Sequence, residues 1–161
     1  MSDTVFLELA VDLAWQARRA GNRPFGSAVV DPAGTLVATG LNTAVTSGDV
    51  TGHSETNAVR AALAQAGTPA TGIPLAGHTL YSSTEPCIMC TGALYLAGIS
   101  RVVYALRSAE LDRLSGPNPG VRMLPFSLDA ALQAGDGLTV SEYVPLAAAR
   151  EVHLDCRKDP S

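Results

Sequence analysis

Apolar positions in the first twenty residues recur at steps of three and four. Phe6, Leu9, Leu13, Ala17 and Ala20 form one stripe, which predicts a helix over residues 5–20 that stops at Gly21. Residues 26–30 and 35–38 are short β-prone runs flanking Asp31-Pro32-Ala33-Gly34, whose Pro and Gly suit a tight turn, so a hairpin is predicted. From Glu55, the residues Val59, Ala62, Leu63 and Ala66 return to helical spacing until Gly67. This puts His53-Ser54-Glu55 at or just before a helix N-terminus. Residues 68–77 read as a loop and 79–83 as a strand. Pro86 suits the first turn of a helix through Cys90, Leu94 and Ala97 to Gly98. That helix carries no charged residue and is expected to be buried. Residues 101–106 are a β-branched strand, 111–127 are rich in Pro and Gly, 128–134 suit a short helix, 138–143 alternate as a strand, and 146–156 suit a terminal helix.

Strands connected by helices imply a partly parallel sheet covered on both faces. The predicted fold is α/β, a three-layer α/β/α sandwich around a mixed five-stranded sheet. At 161 residues the chain suits one domain, 1–161, with no internal repeat. Composition narrows the partners. The formal net charge is −4 and no run of Lys or Arg exists to follow a track of phosphates, which argues against a large nucleic-acid partner. Apolar runs are too short for a membrane span, and Met1-Ser2-Asp3-Thr4 lacks the basic start of a secretion signal, so the expected compartment is the cytoplasm. Three cysteines, two of them at C-x-x-C spacing, favour metal or redox chemistry over a disulfide framework.

Candidate chemistry gathers at two places. Cys87 and Cys90 lie three apart at a predicted helix start, so both sulfurs can project toward one point, where a helix N-terminus favours thiolate. His53, from the start of the preceding helix, completes three metal ligands. Catalytic zinc typically keeps three protein ligands and leaves one position for water, whereas structural zinc is closed by four. Glu55, two residues beyond His53, is then a carboxylate placed to accept the proton of that water. A redox pair at Cys87 and Cys90 is the first competing reading, disfavoured by the accompanying H-x-E. A structural site closed by Cys156 is the second, disfavoured because no further ligand lies near that residue. Cys156 reads as a spare thiol, and His78 and His153 as polar surface or helix-edge residues.

His53-Ser54-Glu55 followed by Pro86-Cys87-Ile88-Met89-Cys90 is the H-x-E…P-C-x-x-C signature of zinc deaminases. The chain resembles the cytidine deaminase-like superfamily over about residues 9–106. Histidine at position 53, where small cytidine deaminases generally carry Cys, points to the guanine, tRNA-adenosine and deoxycytidylate branches. Pro24-Phe25-Gly26-Ser27-Ala28-Val29-Val30 resembles the Pro-Phe-Gly-Ala-Val-Val segment of bacterial guanine deaminases, and Gly40-Leu41-Asn42 matches as well. The resemblance implies one Zn2+ per chain, hydrogen bonding of the substrate by Asn42, a ring wall from Phe25, and base contact by the amides near Ser54. Read without the resemblance, Asn42 is equally a turn residue after Gly40, and Phe25 equally a core residue.

Two departures stand out. The family commonly has Pro-Thr-Ala-His-Ala-Glu where this chain has Val50-Thr51-Gly52-His53-Ser54-Glu55, and the aromatic ending of typical guanine deaminases is missing. Glu85, before Pro86, occurs in relatives and suits a supporting or helix-start role. The expected organisation is a zinc-binding core over about 5–106 and a substrate-determining part over about 107–161, in which 111–127 is either a lid or a passive surface loop. The resemblance further implies a homodimer in which a C-terminal segment can cover the neighbouring active site. The expected function is zinc-dependent hydrolytic deamination of a free nucleobase or nucleoside. An aminopurine such as guanine or guanosine comes first and a cytosine-type or triazine-like amine second. A tRNA adenosine deaminase is third, and an inactive zinc-stabilised scaffold subunit is the rival of another class.

Overall fold

The computed structural model describes residues 2–66, 73–116 and 124–154. The predicted first helix is α1, Asp3–Arg19, and the hairpin is β1, Gly26–Val30, with β2, Leu36–Leu41. After a short turn of helix, α2 (Ala44–Ser47), come α3 (Ser54–Ala66), β3 (Thr79–Ser82), α4 (Ile88–Ala97) and β4 (Arg101–Tyr104). The remainder comprises α5 (Ser108–Ser115), α6 (Leu128–Gln133), β5 (Val140–Tyr143) and α7 (Ala147–Glu151).

The strands form one five-stranded sheet in the order β2-β1-β3-β4-β5. β1 runs antiparallel to both β2 and β3, while β3, β4 and β5 are mutually parallel neighbours. A parallel step needs a crossover, which explains why α4 joins β3 to β4 and why α5 and α6 lie between β4 and β5. Alternation along the central strands sorts side chains into two cores. Val29, Leu80, Val102 and Tyr104 face α3, α4 and α6, and Val30, Tyr81 and Val103 face α1 and α7. All five residues of β1 are buried because helices cover both of its faces. The expected three-layer α/β/α arrangement with a mixed sheet is the one observed.

Two glycines set the spacing between layers. A Cβ on Gly26 would lie 2.2 Å from the Ala10 carbonyl oxygen, so α1 can lie against β1 only at a glycine. A Cβ on Gly40 would lie 2.2 Å from the Ser54 carbonyl oxygen and 2.4 Å from the Ala58 nitrogen. Gly40 therefore admits the first turn of α3 directly onto β2, close to Asn42.

Several expectations need correction. The uncharged helix α4 is not buried all round. Cys90, Thr91, Leu94 and Ala97 point inward, but Leu96 is 82% exposed and Ile88, Gly92 and Tyr95 are exposed with it. Absence of charge thus marked an outward apolar face as well as an inward one. The stretch expected to be loop from 111 begins as helix, because Leu111 and Leu114 pack three apart on the α1 side of the sheet. Glu85 accepts a hydrogen bond from the Ser108 amide at 2.9 Å, so its helix-start role serves α5 rather than α4. α7 is shorter than the predicted terminal helix and ends in a turn through Leu154. β2 runs on to Leu41, beyond the predicted end, with a register shift between Val29 and Val30. Gly67, residues 68–72 of the first predicted loop, residues 117–123 of the Pro- and Gly-rich stretch, and Cys156 lie outside the described residues.

Candidate metal and substrate site

α3 and α4 enter from one side of the sheet and bring their N-termini together. The His53 carbonyl accepts the first α3 hydrogen bond, from Asn57 at 2.9 Å, and Cys87 is the N-cap of α4. His53 Nδ1 lies 3.6 Å from Cys87 Sγ and 3.5 Å from Cys90 Sγ, and the three candidate ligand atoms fall within 4.8 Å of one another. Bond lengths of about 2.3 Å to sulfur and about 2.0 Å to nitrogen, at a tetrahedral angle, put N and S roughly 3.5 Å apart. The donor set therefore fits a single zinc ion without rearrangement. Among the described residues it is the one His/Cys/Asp/Glu cluster with metal-holding geometry.

Electrostatics match that use. The Cys87 thiol is pulled down to about 4, first by the Cys90 S–H donated to it and then, against burial, by His53. Cys90 is pushed up by its bond to Cys87 and by burial. His53 is raised by its bond to Cys87, against burial. Glu55 is 7% exposed, and burial pushes its carboxyl up from the ordinary carboxylate range.

Of the other predicted residues, Ser54 and Glu55 open α3 directly after His53. The Asn42 amide donates to the Phe25 carbonyl at 3.0 Å, joining the two positions through the backbone. Asn42 is buried and its Oδ1 accepts from the Ala44 amide at 3.1 Å, while its Nδ2 has no partner among the described residues. Asn57 locks this strand end to the loop carrying His53: its Nδ2 donates to the Leu41 carbonyl at 2.9 Å and lies 3.1 Å from Thr43 Oγ1. The fully buried Ser54 hydroxyl donates to Glu55 Oε2 at 2.9 Å.

Sequence reasoning missed His153. Expected at the surface, it is 4% exposed, its ring packed on Phe25 with centroids 5.3 Å apart and its Nε2 lying 3.4 Å from Thr84 Oγ1. Arg18 holds this C-terminal turn by donating to the Val152 and Leu154 carbonyls at 3.1 and 2.9 Å. The turn follows a helix of only five residues, so periodicity carried no signal of where it docks. Burial, with Arg18 nearby, depresses His153 to about 4 from its ordinary 6.5. Because the folded pKa is the lower one, stability is fully present above about pH 6.5 and is lost as pH falls toward 4. The loss expected is at most about 3 kcal/mol. Denaturant unfolding at pH 7 and pH 4.5 checks this: the fall in stability should be smaller in His153→Leu, and an unchanged fall would contradict it.

The family described as the cytidine and deoxycytidylate deaminase zinc-binding region matches residues 1–106. The chain belongs to that family. It is similar to a probable cytosine deaminase of Schizosaccharomyces pombe, 38% identical over 113 residues, which cover 70% of this chain and 65% of the yeast protein. It is also similar to the guanine deaminase of Bacillus subtilis, 41% identical over 111 residues and covering 68% of each chain. The match thus spans about two thirds of the length of these relatives. A solved guanine deaminase from Nitrosomonas europaea superimposes with a TM-score of 0.72 at 28% identity, over 92% of this chain and 82% of its own. The zinc named in the family description is the ion that the His53, Cys87 and Cys90 geometry fits.

Proposed function

We propose that the protein catalyses hydrolytic deamination of a free aminopurine, guanine or guanosine, releasing ammonia. The observation that carries this reading is the buried Glu55 carboxylate beside a three-ligand metal site. Zinc held by His53, Cys87 and Cys90 supplies a Lewis acid that makes water a nucleophile at neutral pH. Glu55 takes one proton from the attacking water and gives it to the neighbouring ring nitrogen, then takes the second from the added hydroxyl and passes it to the departing amine. Water supplies the new carbonyl oxygen, and the C–N bond breaks to release ammonia.

Asn42 reads the base, since Nδ2 can donate to a ring carbonyl. Phe25 walls the ring, and the backbone at Ser54 meets the base or reacting centre. The C-terminal part contributes to substrate choice through His153, whose ring packs against Phe25. Guanine is favoured by the likeness to two guanine deaminases. Cytosine is the second reading, on the likeness to the yeast protein. Turnover in 18O-labelled water tests the reaction: a hydrolytic deaminase yields the oxo base carrying one solvent oxygen and one equivalent of ammonia. Product without solvent oxygen would refute it.

We further propose that two copies associate through α4. Residues 86–100 carry no charge, and Ile88, Gly92 and Leu96 lie one turn apart on an exposed face where nothing comes within 4 Å of a Cβ on Gly92. Sedimentation should give a dimer for the wild type and a monomer for Leu96→Glu. Equal masses would contradict this interface.

A further inference from the structure

We propose that Ser27 and Ser54 form a buried hydroxyl chain that fixes one oxygen of Glu55 and so positions the proton carrier. The inference rests on the assignment of Glu55 as that carrier. Ser54 Oγ lies 2.9 Å from Glu55 Oε2, Ser27 Oγ lies 2.9 Å from Ser54 Oγ, and Ser82 Oγ lies 3.4 Å from Ser27 Oγ. All three hydroxyl residues are buried. They come from three elements, with Ser82 on β3, Ser27 on β1 and Ser54 at the start of α3, so the fold rather than local sequence assembles them. Ser27 is a hydroxyl residue on a strand otherwise made of Gly26, Ala28, Val29 and Val30, where a buried polar group needs a partner.

Hydrogen counting gives the chain a direction. An ionised carboxylate only accepts, so Ser54 must donate its one hydrogen to Glu55. Ser54 then accepts from Ser27, whose hydroxyl also lies within reach of Ser82. Ser27 and Ser54 both donate toward the carboxylate, an arrangement in which each bond polarises the next. The chain ends at Ser82, buried in β3. Its effect is on geometry: with Oε2 held, the side chain has one orientation, and the other oxygen is left to take and return the proton. Ser54 and Ser27 are therefore positioning residues. An alanine at 54 would leave Glu55 without this partner.

The test compares Ser54→Ala, Ser27→Ala, their double variant and Glu55→Gln as zinc-loaded proteins, on whichever base or nucleoside the wild type turns over fastest. Ser54→Ala should lower kcat roughly ten- to a hundredfold with KM within about twofold and zinc content unchanged. Ser27→Ala should lower kcat about three- to tenfold, and the double variant should be no worse than Ser54→Ala by more than about twofold, because Ser27 acts through Ser54. A second readout needs no substrate. In metal-free protein, the 13C carboxyl resonance of Glu55, assigned by its loss in Glu55→Gln, should shift in both serine variants. If Ser54→Ala fails to fold, Ser27→Ala carries both readouts. Unshifted resonances with wild-type kcat, or a rise confined to KM, would overturn the inference, whereas turnover retained in Glu55→Gln would overturn the assignment of Glu55 instead.

Discussion

Glu55→Gln is expected to lower kcat roughly 10³- to 10⁴-fold while the protein still binds one zinc per chain. Glutamine keeps the size of the side chain and accepts the Ser54 hydrogen bond, but its amide cannot take up and return a proton. Removal of a buried acid also removes the burial cost that raises its pKa, so the variant should be at least as stable as the wild type. Loss of turnover with preserved zinc and preserved melting temperature therefore separates proton transfer from folding and metal binding. Zinc is measured by atomic emission and turnover by ammonia release. Near-normal turnover would exclude Glu55 as the proton carrier.

Replacing a ligand should do the opposite, removing the metal first and activity as a result. For Cys87→Ser or His53→Ala, zinc affinity should fall by more than about a hundredfold, and turnover should fall to the level of chelator-treated wild type. The stability change follows from mass action. Free zinc at a thousand times its dissociation constant stabilises a folded site by about 4 kcal/mol, and each ligand variant should forfeit most of that increment. In zinc-free buffer the ligand variants and the wild type should instead melt close together. The approach of α3 and α4 is held without metal by Gly40 on β2, by the Asn57 bonds, and by the core of Val59, Ala62 and Leu94. A ligand variant that keeps stoichiometric zinc and full turnover would show that the metal sits elsewhere.

How much of this was legible in the sequence depends on whether a signal was local. Helices α1 and α3 carry their apolar stripes in order along the chain, and two of the metal ligands, Cys87 and Cys90, sit three apart. Both were readable because the chemistry of a helix face and of a two-cysteine grip is decided within four residues. The outward face of α4 was not readable. A run without charge is consistent with burial on all sides or with one face kept for another surface, and only the position of the sheet tells them apart. His153 and Ser27 were missed for a different reason. His153 reaches Phe25 through a turn whose docking depends on Arg18, 135 positions earlier in the chain, and Ser27 meets Ser54 only because β1 and α3 pack together. Interactions at such separations leave no periodicity behind. Ser27 did carry a trace, as a hydroxyl inside an apolar central strand, and a buried hydroxyl always raises the question of what it bonds.

The central claim is that one zinc held by His53, Cys87 and Cys90, with Glu55 beside it, releases ammonia from an aminated ring. Its most direct test measures ammonia from zinc-loaded wild type, chelated wild type and Glu55→Gln across guanine, guanosine, cytosine, cytidine, adenosine and an aminotriazine. The account predicts release from at least one compound, guanine or guanosine foremost, by the zinc-loaded wild type alone. Silence across the whole panel from a folded protein with one zinc per chain, or equal release from the Glu55→Gln protein, would contradict it.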